Sequence, residues 1–253
     1  MSTRRVEMEP QDSGAIASQV DSILEHLPVE TAVKVDLPSR GQFYGDGGGV
    51  VSVKPLTFED EKALVSIKDS KKINPLSTIL SRCVEGVDTN ALVYMDKMFL
   101  IMKIRELSYG EEYQASVICP KCTESNPLSF KLSELEVKYV PEDLKEPMSV
   151  LLPKIKKDVE FRLPRVSDES YIIDPEIMMD NIWRFIVSID GNKNPTVIAQ
   201  VIRKLPSADL HTMIKAFTAN DYGIETKAKF KCFNCKEVSL VDIPISENFF
   251  SVN

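Results

Sequence analysis

Apolar residues recur along this chain at two intervals, and the switches between them separate helical stretches from strands. Ile16, Val20, Ile23, Leu24 and Leu27 are spaced for one helical face, and Pro28 stops the run. This predicts a short amphipathic helix outside the main body, after a polar, disordered stretch over residues 1–12. Such a helix either docks in a partner's groove or packs on its own domain. Strands are expected over Val33–Leu37 and Val50–Val53, with five of the ten glycines between Gly41 and Gly49. That concentration marks a hairpin tip with unusual backbone angles. No Gly-Lys-Ser/Thr follows and the next element reads as strand, so the glycines do not form a phosphate loop.

Helical spacing dominates the next stretch. Thr57 opens a helix with Asp60 at the capping-box position, and Asn74-Pro75 opens another carrying Leu76, Ile79, Leu80 and Cys83. A third, from about Asn90 to Leu107, is apolar on most sides and belongs at the centre of the first half, with Gly110 ending it. Val137–Val140 reads as strand. The prolines from Pro141 to Pro164 point to loops and edge strands rather than a central sheet, with Lys154, Lys156 and Lys157 guarding a strand edge. Asp174-Pro175 starts a fourth helix carrying Met178, Ile182, Phe185, Ile186 and Ile189, with Trp183 nearby and Gly191 closing it. A fifth runs from Thr196 to Leu205. Ser207 caps a sixth, whose Leu210, Met213, Ile214 and Phe217 face inward.

Two short stretches interrupt this pattern with chemistry. Cys119-Pro120-Lys121-Cys122 and Cys232-Phe233-Asn234-Cys235 each place two thiols in a tight turn between strand-like residues. Before the first, Tyr113, Ala115 and Val117 alternate with polar positions, and Leu128 and Phe130 follow. Ala228 and Phe230 precede the second, and Val238, Leu240 and Ile243 follow. Strand, cysteine turn, strand is the pattern of a zinc knuckle, and two knuckles supply the four thiolates of a closed structural site. Pairs in one local ribbon are usually separated by roughly 15 to 20 residues, whereas residues 123–231 lie between these. Each doubling of a loop costs only about 0.6 kcal/mol, so the excess is on the order of 1.5 kcal/mol. A structural zinc contributes roughly 10 kcal/mol or more, so the metal wins. Lys121, Lys231 and Lys236 add cations that favour thiolates. Iron is compatible with the same four sulfurs. The competing readings are a C-x-x-C redox pair, which needs a helix after the motif, and two unliganded pairs.

Composition narrows the function. The chain has 253 residues, 43% hydrophobic and 27% charged, which fits a soluble globular protein with a real core. A net charge of −7 without a long basic run argues against a nucleic-acid partner. The longest apolar run, Met98 to Met102, is too short to cross a bilayer, and the N-terminus lacks a secretory pattern. Five cysteines, four of them in C-x-x-C pairs, fit a reducing compartment, with Cys83 a buried small hydrophobe. Neither His26 nor His211 has a visible acid–base partner, and no nucleophile motif, dinucleotide fingerprint or HExxH occurs, so a non-enzymatic role is expected.

The expected fold class is α+β: helical segments with short antiparallel strands and a split four-cysteine zinc-ribbon-like module. Its parts are a flexible N-terminal segment with the amphipathic helix (1–30), a hairpin with helices (31–107), the first knuckle and strands (108–165), a helical segment (166–220), and the second knuckle with the tail (221–253). Ser108-Tyr109-Gly110 before the first knuckle is echoed by Asp221-Tyr222-Gly223 before the second, a faint two-fold rhythm.

The order of several short motifs resembles a known family. Leu37-Pro38-Ser39-Arg40-Gly41 with Phe43-Tyr44, then Pro55-Leu56-Thr57, is similar to the N-terminal part of T-even-type phage baseplate proteins. So are Lys103-Ile104-Arg105 through Tyr109-Gly110 to the first knuckle, Leu205 to Leu210, and the ending with Ile243-Pro244 and Phe249-Phe250. The likeness covers roughly residues 33 to 253. It implies a component of the hub of a contractile-tail baseplate, or a factor that helps the hub assemble. Such a protein is made in the host bacterial cytoplasm, has other hub proteins as partners, and as a hub component sits in the virion tail. Phe249 and Phe250 either contact such a neighbour or fold back on the core. Thr123 and Lys236 stand where a knuckle commonly has glycine, which puts strain in those turns. The readings from another class are a cytosolic C-x-x-C redox protein or a zinc-ribbon accessory factor.

Overall fold

The computed structural model describes residues 13–24, 32–45, 48–67, 75–172, 174–218, 222–245 and 247–250. They belong to two units, Met1–Thr31 and Ala32–Asn253. In the first unit, helix α1 (Ser13–Leu24) carries Ile16, Val20 and Ile23 exposed at i, i+4 and i+7. The expected disorder of residues 1–12, and the expectations for His26, Leu27 and Pro28, lie outside the described residues.

The second unit opens with the expected hairpin. Strands β1 (Val33–Asp36) and β2 (Val50–Val53) pair antiparallel from Val33 opposite Val53 to Asp36 opposite Val50. Leu37 N–H donates to Gly49 O at 2.8 Å and closes the loop. Gly41 has φ +74°, and a Cβ there would meet Gly49 N at 2.3 Å, so only glycine fits. The start of α2 (Phe58–Ile67) is fixed by a reciprocal cap: Thr57 N–H donates to Asp60 Oδ2 at 2.9 Å, and Asp60 N–H to Thr57 Oγ1 at 3.4 Å. Arg82 near the end of α3 (Pro75–Cys83) pairs with the same carboxylate, and β3 (Val84–Glu85) adds a third strand beside β2.

Helix α4 (Tyr94–Tyr109), preceded by one 3₁₀ turn over Thr89–Ala91, is buried along most of its length, as its all-round apolar pattern predicts. Gly110 with φ +86° ends it. Its buried polar residues are held by distant groups. Asp96 accepts from Ser39 N–H at 2.9 Å and Tyr44 O–H at 2.5 Å, Lys97 pairs with Glu169, and Arg105 Nε donates to Phe249 O at 2.9 Å. The largest core gathers around α4 from the hairpin, the two cysteine modules and the tail. Phe249 and Phe250 are buried in it, with Tyr113 and Phe249 ring centroids 4.8 Å apart, so the tail folds back on its own chain.

After α4 come β4 (Glu112–Ile118), β5 (Ser125–Lys131), β6 (Val137–Lys138), β7 (Met148–Leu151) and β8 (Asp158–Phe161). Here two expectations are corrected. The Pro141–Pro164 stretch supplies a central strand, because β8 lies between β7 and β9 (Ile186–Ile189). The prolines flank β8 and none falls within it, so its ladder donors are intact. The fourth predicted helix also breaks up. Only α5 (Pro175–Asn181) is α-helical, followed by a 3₁₀ turn over Ile182–Phe185 and then β9. Ile186, Ser188 and Ile189 pair with Phe161, Glu160 and Val159, and that partner outweighs the helical spacing. The lysine group, expected at a strand edge, occupies the β7–β8 turn, with Lys157 paired to Asp190 at 2.5 Å. A second core lies under this sheet, with Leu152, Val159 and Phe161 against α6 (Pro195–Ile202) and α7 (Ser207–Thr218). Strand β10 (Gly223–Ile224) pairs with β6, and β11 (Lys227–Lys231) with β12 (Val238–Asp242). The fold is thus α+β, with seven α-helices and five small antiparallel sheets among the described residues. Among the described residues no helix is long and apolar enough to cross a membrane.

Candidate metal centre

Each cysteine pair sits at the tip of a hairpin. Strands β4 and β5 pair along seven residues each, from Glu112 opposite Lys131 to Ile118 opposite Ser125. Alternation turns Tyr113, Val117 and Leu128 inward, and the shorter β11–β12 hairpin does the same with Ala228 and Phe230. Inward positions at matching registers bring the two tips together over the shared core.

The tips have the same local build. Cys119 N–H donates to Glu124 O and Thr123 N–H to Cys119 O, both at 2.9 Å. In the second turn the same bonds run from Cys232 to Glu237 at 2.8 Å and from Lys236 to Cys232 at 3.1 Å. Thr123 and Lys236 take φ values of 58° and 62°, the left-handed conformation for which glycine is usual. The turns form without glycine and carry its strain, roughly 1–2 kcal/mol per residue.

The four predicted residues converge. The sulfurs of Cys119, Cys122, Cys232 and Cys235 all lie within 4.8 Å of one another. The short contacts run between the hairpins, Cys119 Sγ to Cys235 Sγ at 3.7 Å and Cys122 Sγ to Cys232 Sγ at 3.6 Å. A tetrahedron with Zn–S bonds of about 2.3 Å has sulfurs about 3.8 Å apart. The donor set therefore fits a tetrathiolate ion with little adjustment. Cys119 and Cys232 are fully buried, and Cys122 and Cys235 half-buried. Strands, not helices, follow both motifs, which disfavours the thioredoxin-like redox arrangement.

Electrostatics point the same way. Burial opposes ionising Cys232, but backbone N–H groups of Cys235 and Asn234 and neighbouring thiols hold it down to about 6. For Cys235, the N–H of Glu237 favours thiolate, yet burial and the surrounding sulfurs push it up to about 12. One sulfur ionises readily and its neighbour is held back by the negative charge that results. A cation among them lets all four ionise together.

Two further groups join the hairpins: Asn126 does not stand out in the sequence, and Lys121 does so only as a cation beside the thiols. Asn126, 1% exposed, accepts from Phe233 N–H at 2.8 Å through Oδ1 and donates through Nδ2 to Glu124 O at 2.8 Å. Lys121 pairs with Glu237 across the same gap at 2.6 Å. The only hint for Asn126 is an amide at an inward strand position, where an apolar residue would be usual. Cys83 stands apart, fully buried, with burial and the nearby Asp60 charge pushing its thiol up to about 12. His211 is exposed on α7.

Comparison with curated proteins and with solved structures gives no match. A family model described as T4 bacteriophage base plate protein matches residues 29–251. That continuous span takes in the glycine-rich hairpin, buried α4, all four converging cysteines and the folded-back Phe249-Phe250, and the chain belongs to the T4 bacteriophage base plate protein family.

Proposed function

We propose that this protein is a non-enzymatic structural or assembly component of the hub of a contractile-tail baseplate, held in shape by one zinc ion on Cys119, Cys122, Cys232 and Cys235. Family membership over residues 29–251 carries the assembly reading. The convergence of four sulfurs within 4.8 Å supports the ion, and zinc is the metal that a closed tetrahedral set of thiolates suits best. A site whose four positions are all protein sulfur leaves none for substrate, so the metal's part is to clasp β11–β12 and the tail to β4–β5. A rigid platform of this kind suits a protein whose work is to meet other hub proteins in the host cytoplasm during assembly and in the finished tail.

Elemental analysis of protein purified without added metal tests the site. About one zinc per chain, with four thiols protected from alkylation, is expected, and Cys122→Ser with Cys235→Ser should abolish it. Iron at the same stoichiometry would change the metal and keep the clasp. A reversible disulfide within either C-x-x-C pair and no metal would favour the redox reading instead. For the assembly role, purified hub proteins of the same phage should co-elute with this chain, and binding to none of them counts against it. Presence in finished particles identifies a hub subunit; absence, with hubs that fail to form without it, identifies an assembly factor.

A further inference from the structure

The β7–β8 turn repeats the two cysteine turns with no cysteine in it. Its residues, Leu152-Pro153-Lys154-Ile155-Lys156-Lys157, align with Cys119-Pro120-Lys121-Cys122-Thr123-Glu124 and Cys232-Phe233-Asn234-Cys235-Lys236-Glu237. Leu152 N–H donates to Lys157 O at 2.9 Å and Lys156 N–H to Leu152 O at 3.0 Å, the same two bonds at the same positions. The fifth residue is again left-handed, Lys156 at φ 57° beside 58° for Thr123 and 62° for Lys236. The first residue is again fully buried, here Leu152.

What differs is the group set into the turn. In the second cysteine turn, two and three residues before the N–H groups of Asn234 and Cys235, it is the Cys232 sulfur, one of the four that converge. The equivalent N–H groups, of Lys154 and Ile155, donate to Asp209 Oδ1 at 2.7 Å and Oδ2 at 3.1 Å. Asp209 is on the first turn of α7 and is fully buried. A carboxylate with both oxygens engaged thus holds this turn from outside, where the cysteine turns carry their own sulfurs.

We infer that Leu152–Lys157 is a knuckle latched by the Asp209 carboxylate, and that the second unit holds its hairpins with two latches of different chemistry. The tetrathiolate ion fastens β11–β12 to β4–β5, and this half rests on the metal reading above. Asp209 fastens β7–β8 to α7 at any metal concentration. Metal loss therefore loosens the tail end selectively and uncovers the apolar surface around Tyr113, Phe230 and Phe249, while the sheet of β7, β8 and β9 stays closed.

Hydrogen exchange on the full chain tests this, with wild-type protein compared before and after stripping by a mercurial and chelator and then removal of the mercurial. Peptides covering 112–131 and 223–245 should exchange at least tenfold faster after stripping, and those covering 148–161 and 207–217 should stay within twofold. Acceleration of both sets, or of neither, overturns the inference. In metal-loaded Asp209→Asn, where an amide N–H₂ faces one of the turn donors, the Lys154 and Ile155 amides should exchange at least tenfold faster with metal content unchanged. Unchanged exchange, or loss of metal in this variant, also overturns it. The wild-type comparison needs no variant and decides the matter if Asp209→Asn does not fold. Wild-type protein that takes up no metal refutes the clasp proposed above, and exchange at the Lys154 and Ile155 amides in metal-free Asp209→Asn against metal-free wild type then still judges the carboxylate latch.

Discussion

Asp60 serves three groups at once: it accepts from the Thr57 N–H at 2.9 Å and hydroxyl at 2.7 Å, and it pairs with Arg82. Burial works to raise its pKa, but these donors outweigh burial and hold it below the ordinary carboxylate range. Asp60→Ala removes the cap and should cost about 1–2 kcal/mol in urea unfolding at pH 6. A depressed folded pKa contributes stability above the unfolded value of about 3.9 and loses it as pH falls through the folded one. The gap between wild type and variant should therefore narrow at pH 3, and an equal gap at both pH values would refute the ionic account. Cys83, fully buried with its thiol pushed up to about 12, should resist thiol reagents until the chain unfolds; rapid native labelling would contradict that placement. The Asp60 cap is legible in the sequence because its partner is three residues away. Asp96, Asn126 and Asp209 are not, because their partners Ser39, Phe233 and Lys154 come from remote parts of the chain.

Short elements here are settled by their neighbours more than by their own periodicity. Residues 182–189 carry apolar side chains at helical intervals, yet β8 offers an unpaired ladder and Ile186–Ile189 completes it. Its Asp190-Gly191 turn, at φ 53° and 78°, then closes a strand rather than a helix. Turn chemistry is more local and easier to read. At Gly41 the glycine requirement is absolute, with the φ of +74° and Gly49 N 2.3 Å from any added Cβ. Gly41→Ala should lose about 2–4 kcal/mol, combining left-handed strain with overpacking. Thr123 is the opposite case, a β-branched residue at φ 58°. Thr123→Gly should raise stability by about 1 kcal/mol with metal content unchanged, and a loss of stability would show that the turn is not strained as described.

At the scale of the molecule, the chain is closed by returning its end to its middle. Phe249 is fully buried against Tyr113, with its carbonyl accepting from Arg105, and Phe249→Ala should cost about 3–5 kcal/mol in denaturant unfolding. A cost under about 1 kcal/mol would mean that the tail contributes little to the core. By itself the sequence determined whatever depends on near neighbours. It set the caps of α2, the buried character of α4, the hairpin tip around Gly41 and the four cysteines as donors of one chemical type. Only the tertiary structure decided which distant surfaces those elements meet: that β8 is central, that Phe249 and Phe250 turn inward, and that Asp209 fills a third turn. The reason is physical. Alternation and helical spacing say which side of an element seeks cover, whereas its partner is chosen by the packing and hydrogen bonds available across the whole chain.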